Sequence, residues 1–492
     1  MIAPGLRGAL HVSGCTSDAG KSTVVAGLCR LLARNGVSVA PFKAQNMALN
    51  SYVTRTGDEI GRAQGAQALA AGLEPTVAMN PILLKPTGER TSQVVVLGQP
   101  IGVMTAAEYH EHKPQLRRLV LDALAELREQ FDVVLCEGAG SPTEINLLAH
   151  DIVNLSIARD GGMRSIVVGD IDRGGVFAHL YGTVALLPDD LRATVGGFVI
   201  NRFRGDPALL GDGTAQLEAA CGVPTLGVLP MLSGMWLDGE DSVALGVPIP
   251  SAGPALADPI EVVAVRLPQL SNYTDLDALA LEPGVSVRYV ADAASIGRPD
   301  LVVIPGSKET VHDLAWLRSH GIDAAIEASG ADVLGICAGY QLLGDTITDH
   351  VESNAGEVAG LGWLPGVTTA FGGEKVLRQH DGESASGYQI HHGRVAGPEG
   401  LGWVPLDDGD EGTVRADGRV RGTTLHGLFE HDAFRHGFLL DLAERRGKRF
   451  EPAGVVFAEA RTARFDAIAD AIEHHLDLDA LSALITEAGG SN

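Results

Sequence analysis

The sequence predicts two α/β units in tandem, each a parallel sheet covered by helices on both faces. Three observations carry this. Short β-branched runs alternate with alanine- and leucine-rich stretches through the first half, and continuous apolar strands of this kind belong to sheets buried on both sides. The alternation stops at Val247-Pro248-Ile249-Pro250-Ser251-Ala252-Gly253-Pro254, reads there as a linker, and restarts beyond it. With 492 residues there is room for two or three domains with cores of their own, and 62 glycines suit many tight turns at strand ends.

In chain order, strands are expected at 9–13, 37–42, 132–136, 165–169, 197–200 and 225–229, with helices at 22–34 and 115–129 between them. After the linker, strands are expected at 261–266, 285–290, 301–304 and 333–336, with further β-like segments at 367–370 and 422–425. The expected domains are 1–246, 258–445 and a helical C-terminal tail, 446–492. In the tail, Phe465, Ile468, Ile472 and Leu476 fall on one helix face, the pattern of a packing helix.

Hydrophobic content of 45% and charged content of 20% are ordinary for a globular protein. A formal net charge of −25 argues against a nucleic-acid partner and against docking on an anionic membrane. Five scattered cysteines without a Cys-x-x-Cys pair make neither a disulfide framework nor a zinc site and fit a reducing cytoplasm. The first ten residues lack the apolar core of a signal peptide, and no run is long enough to span a membrane.

Directly after the first expected strand, Gly14-Cys15-Thr16-Ser17-Asp18-Ala19-Gly20-Lys21-Ser22-Thr23 matches G-x-x-x-x-G-K-[ST] and opens a helix. Gly14, Thr16, Asp18, Ala19, Gly20, Lys21, Ser22 and Thr23 are the candidate nucleotide-binding residues. Backbone N–H groups would cradle phosphates, Lys21 would reach the outer ones, and the Ser22 hydroxyl would sit on Mg²⁺. A metal at such a site needs a carboxylate from a neighbouring strand. Glu137 ends one apolar strand, and Asp170 and Asp172 follow another beside Arg173, so Ser22, Glu137 and Asp170 are the candidate metal ligands.

The second unit carries Leu334-Gly335-Ile336-Cys337-Ala338-Gly339-Tyr340-Gln341, an apolar run, a sharp turn and a helical pattern. This is the layout of a nucleophile elbow. A helix N-terminus favours an anionic sulfur, the form that attacks carbonyl carbon. The N–H of Ala338, next after the nucleophile, is one oxyanion donor. From the residues alone, His426, His391 and His392 are equal candidates for the base.

The P-loop half resembles the dethiobiotin-synthetase-like group of ATP-dependent ligases. The cysteine half resembles a class I glutamine amidotransferase domain of the cobalamin-biosynthesis type. Joined in this order they are similar to the cobyric acid synthase family over essentially the whole chain. The pieces that carry this are Pro41-Phe42-Lys43-Ala44-Gln45-Asn46-Met47, Asn80-Pro81-Ile82-Leu83-Leu84-Lys85-Pro86, Glu137-Gly138-Ala139-Gly140-Ser141-Pro142, Gly169-Asp170-Ile171-Asp172-Arg173-Gly174-Gly175, Pro305-Gly306-Ser307-Lys308 and Gly387-Tyr388-Gln389-Ile390-His391.

The resemblance implies ATP- and glutamine-dependent amidation, with Mg²⁺, of the b, d, e and g carboxylates of adenosylcobyrinic acid a,c-diamide. Its partners are then the small molecules ATP, glutamine and a corrinoid acid. It implies Cys337 as nucleophile, His426 as base and Gly306 in a second oxyanion-donor turn. Many relatives carry an acid two residues after the histidine. Position 428 is leucine here, so either Glu430, two residues further, orients His426 or no carboxylate does. Two rival readings share parts of the pattern: a cobyrinic acid a,c-diamide synthase, and a P-loop switch protein with a degenerate glutaminase half. Asn46-Met47 and the 387–391 segment favour the first reading over the diamide synthase, and an intact Cys337 and His426 argue against the switch.

Overall fold

The computed structural model describes residues 5–87, 90–232 and 258–487. The expected linker, 247–254, lies outside the described residues, as does the expected boundary at 246. The chain forms two compact units, Met1–Ala48 with Asp58–Asp238 and Arg461–Asn492, and Leu49–Gly57 with Gly239–Ala460. The first unit therefore includes 461–492, which the sequence reading assigned to a tail, and the second includes 49–57. Among the described residues no helix is long and apolar enough to cross a membrane.

The first unit is built on a six-stranded sheet in the order Thr225–Pro230, Val195–Phe203, Arg164–Asp170, Gly8–Gly14, Val133–Glu137, Val39–Phe42. Every pairing in it is parallel. All six expected strands are in this sheet, and the burial of all but the half-buried edge strand Thr225–Pro230 explains why they read as apolar runs. The register pairs Val12 with Glu137 and Gly14 with Val168, so the P-loop leaves the sheet edge where Glu137 and Asp170 end. Sites in such sheets lie at that carboxyl edge. Phe465, Ile468, Ile472 and Leu476 pack into one buried cluster with Val24, Val25, Leu28 and Leu32 of the helix Lys21–Arg34. Arg30 adds a two-bond pair to Asp466 at 2.7 and 3.0 Å.

A smaller sheet of Gln45–Met47, Ile82–Thr87, Thr91–Val96 and Gln99–Thr105 was not expected. Its last strand is largely exposed, so it carries little apolar signal. It leads into the helix Ala106–Gln130, which starts nine residues before the expected helix. A reciprocal cap between Thr105 and Glu108 sets that start.

The second unit has the sheet order Val285–Val290, Ile260–Val265, Leu301–Ile304, Asp332–Ile336, Val420–Thr423, Thr413–Val414, parallel except for the last pair. Ile304 pairs with Gly335 and Ile336 with Thr423, so residues 305, 337 and 424 leave the same edge. A four-stranded sheet, Gly356–Ala359, Thr346–Asp349, Thr368–Asp381 and Ser386–Ala396, carries the Gly387–His391 segment.

Candidate active site

In the first unit the helix Lys21–Arg34 opens at Gly20, whose φ is 96°. A Cβ there would stand 2.1 Å from the Asn201 side-chain nitrogen, so only glycine fits. Lys21 Nζ donates to the carbonyls of Thr16 (3.1 Å) and Gly140 (3.0 Å), across the mouth of the loop. Ser22 Oγ donates to Glu137 Oε1 at 2.8 Å. Glu137 is fully buried, and Lys43 Nζ reaches the same oxygen at 2.9 Å while Gln67 donates to the other at 2.5 Å. Burial alone would raise the carboxyl, but Lys43, Gln67 and Ser22 hold it below the usual carboxylate range.

The structure thus brings Ser22 and Glu137 together. Asp170 sits apart from them in a different network. Its Oδ1 accepts from the Asp172 N–H (2.8 Å) and its Oδ2 pairs with Arg202 (2.9 Å), which also holds Asp18 at 3.1 Å. Asp172 is exposed toward Arg204. Among the described residues no group of three or more His, Cys, Asp or Glu side chains could hold a metal ion. The all-oxygen pair Ser22–Glu137 still fits Mg²⁺, which takes one or two protein ligands and completes its shell with phosphate and water.

In the second unit Cys337 stands between the strand Asp332–Ile336 and the helix Ala338–Leu343, with φ 53° and ψ −109°. A non-glycine residue with positive φ is uncommon and stores strain, as an elbow requires. The turn is tight because Gly339 lies against the neighbouring strand: a Cβ there would be 1.8 Å from the Ile304 carbonyl oxygen. Cys337 N–H donates to Thr423 O at 2.8 Å. The sulfur is buried, with Ile390 O at 3.9 Å.

His426 is fully buried one turn past the strand Val420–Thr423. Its backbone exchanges two bonds with Tyr388 (2.8 and 2.9 Å), and its ring stacks on the Tyr388 ring at 5.4 Å. His426 Nδ1 bonds to Asp275 Oδ2 at 2.7 Å, and the Gly427 N–H donates to Asp275 Oδ1 at 2.8 Å. The ionised carboxylate accepts only, which assigns the proton to Nδ1 and leaves Nε2 as the working nitrogen. Burial on its own would lower His426. The charges of Asp275 and of the Cys337 sulfur outweigh it and push the imidazole up to about 10. Gly306 faces the same ring: a Cβ there would come within 3.0 Å of His426 Cε1.

The candidate orienting acid needs correction. His426 Nδ1 is occupied by Asp275, not by Glu430. Glu430 instead closes the short turn Leu428–Glu430, its N–H donating to Gly427 O at 2.9 Å. Asp275 lies on the 3₁₀ turn Tyr273–Leu276, 151 residues before His426, so no spacing rule reaches it. One signal was available: it follows the strand Ile260–Val265, at the sheet edge where ligands bind.

A P-loop unit joined to a unit bearing a Cys-His-Asp constellation defines the class, a glutamine-hydrolysing ligase. Residues 10–239 match the CobQ/CobB/MinD/ParA nucleotide binding domain, and residues 261–434 match the CobB/CobQ-like glutamine amidotransferase domain. The chain is similar to the cobyric acid synthase of Mycolicibacterium paratuberculosis, with 53% identity over 489 residues, 98% of this chain and 97% of the relative. That of Rhodococcus jostii is 53% identical over 97% of this chain and 96% of its own. That of Streptomyces coelicolor is 51% identical over 98% of this chain and 97% of its own. The chain belongs to the cobyric acid synthase family.

Proposed function

We propose that the chain converts adenosylcobyrinic acid a,c-diamide to adenosylcobyric acid by amidating the b, d, e and g carboxylates. One ATP and one glutamine are consumed for each amide. The observation that carries this is the likeness to cobyric acid synthases through both units, at 53% identity over 98% of the chain. The cytoplasm is its place of work, and no nucleic acid or membrane takes part.

A carboxylate is a poor electrophile because oxide is a poor leaving group. Attack of its oxygen on the γ-phosphorus of ATP, with ADP leaving, gives an acyl phosphate. Ammonia then adds at the acyl carbon and phosphate departs. Lys21 and the loop N–H groups stabilise charge on the transferring phosphoryl group. Ser22 and Glu137 would hold Mg²⁺, which neutralises phosphate charge. Asp170 serves instead to fix Arg202 beside the loop, and Asp18 and Thr16 line it.

At the other site Cys337 sulfur attacks the glutamine carboxamide carbon. The oxyanion is received at the Ala338 and Gly306 N–H groups, and His426 gives its proton to the departing nitrogen. Water then hydrolyses the glutamyl thioester. Asp275 holds His426 in the working tautomer.

The test supplies the a,c-diamide with glutamine, ATP and Mg²⁺ and follows products by mass spectrometry. Four successive amidations are expected. No added amide, or amidation only of a corrinoid whose a and c carboxylates are free, refutes the assignment.

A further inference from the structure

The buried imidazole of His391 has no part in the chemistry above. It lies on the strand Ser386–Ala396, and His391 is only 8% exposed. Neither ring nitrogen has a hydrogen-bond partner among the described residues. An unpaired polar group at that depth is destabilising, so a partner is expected in the working state. The surroundings identify which one.

The strand passes along the elbow residue by residue. Gly387 and Tyr388 lie on the His426 backbone, where a Cβ at Gly387 would be 2.6 Å from His426 O. The Ile390 carbonyl, bonded to the His391 nitrogen, is the group beside the Cys337 sulfur. Gly393 lies on the Gln341 side chain, which donates to its carbonyl at 3.4 Å. His391 is thus bracketed by the nucleophile, the base and the first turn of the elbow helix. Ile390 packs the other way, with Val53 and Tyr388.

We propose that His391 is a catalytic residue whose neutral imidazole accepts a hydrogen bond from the leaving nitrogen of glutamine. This rests on Cys337 being the nucleophile. As the sulfur–carbon bond forms and the carbon–nitrogen bond breaks, His426 Nε2 gives its proton to the nitrogen, and NH₃ leaves with three N–H bonds and one lone pair. An acceptor beside it holds the lone pair toward His426 and accepts no proton itself. Burial pushes His391 down to about 4, opposed chiefly by the Gly393 carbonyl near the ring, with repulsion from His426, His392 and Arg394 adding to the burial. It therefore stays neutral beside the charged His426 and keeps a free acceptor.

The experiment compares two substrates on His391→Leu and His391→Asn. Glutamine has N–H bonds on its leaving atom. The γ-methyl ester of glutamate has the same acyl part and an oxygen leaving group without hydrogen. For His391→Leu the kcat for glutamine is expected to fall about 100-fold, the scale of one positioned hydrogen-bonding group in an active site, while ester hydrolysis stays within about threefold of wild type. His391→Asn, which keeps an acceptor, should recover at least about tenfold of that loss. Equal losses on both substrates, no loss on glutamine, or an asparagine variant no better than leucine overturns the proposal. Cys337→Ala is run in parallel. If it still hydrolyses glutamine, the nucleophile reading fails, which is a separate result from either failure of His391.

Discussion

Replacing Asp275 by asparagine tests the second-unit site most directly. The carboxylate accepts from two donors, His426 Nδ1 at 2.7 Å and the Gly427 N–H at 2.8 Å, and both partners are buried. Asparagine has one acceptor oxygen for these two donors. If that oxygen takes Gly427, the amide NH₂ faces His426 Nδ1 and forces the proton to Nε2, the wrong tautomer for a base. If it takes His426, the geometry survives without the charge. Charge-assisted bonds contribute about 1.5–3 kcal/mol, and the His426 imidazolium that delivers the proton loses this support. At ~1.4 kcal/mol per tenfold, the upper end is a fall of about 10²-fold in glutaminase kcat. The tautomer penalty adds to it, with about 10⁴ as a ceiling from amide replacement in a Ser-His-Asp triad. The assay is glutamate release, with ammonia-driven amidation as the control for an intact first unit. Glu430→Gln, by contrast, should stay within about threefold of wild type. An Asp275→Asn enzyme with full glutaminase activity, or a Glu430→Gln enzyme without it, refutes the assignment.

The same pair gives a pH dependence of stability. His426 is held above its ordinary value of 6.5, up to about 10. A histidine raised on folding binds its proton more tightly in the native state. Its stabilisation is therefore complete below 6.5, declines as pH rises, and is gone above about 10. Thermal melts of wild type should lose stability across that window, and those of Asp275→Asn should lose less.

Three further outcomes are expected. Cys337→Ala should abolish glutamine use and keep amidation at high ammonia, whereas Lys21→Ala should lose both, because carboxylate activation precedes amination; paired glutamine and ammonia assays separate them. Gly306→Ala places a methyl 3.0 Å from the His426 ring, and glutaminase activity should fall at least about tenfold with ammonia use retained. Glu282→Ala leaves the fully buried Arg435 guanidinium without the carboxylate 2.9 Å away, which should cost about 3 kcal/mol in denaturant unfolding, as for other broken buried pairs.

What could be read from the residues follows from burial. Most strands of the two larger sheets were legible because they are largely apolar, while Val285–Val290, interrupted by Ser286 and Arg288, showed as an alternation. The smaller sheets were not. The strand Gln99–Thr105 is mostly exposed, and Thr368–Asp381 alternates weakly between half-buried and exposed. Cys337 and the P-loop could be found because the roles proposed for them depend on local chain geometry, which a short motif encodes. Asp275 could not, because its function depends only on where a carboxylate ends in space. His391 stood in view as one of three equal histidines. Its burial with neither ring nitrogen paired among the described residues, which sets it apart, is a property of the folded chain alone.

Leu428 shows why the acid comes from so far away. It is 3% exposed and packs with Ala385, Val404 and Leu425 in an apolar cluster. A carboxylate in that cluster would have to be desolvated without a donor to receive it. Gly427, with φ 69°, instead turns its N–H toward Asp275, on the 3₁₀ turn Tyr273–Leu276 that follows the strand Ile260–Val265. One buried carboxylate then finds two donors, a histidine ring and a backbone amide, and its desolvation is offset. The proposed reaction requires an acceptor at His426 Nδ1, and a connection that leaves this sheet edge can deliver it. The constellation is set by where the parallel strands end together, so a leucine at the motif position removes nothing from the chemistry.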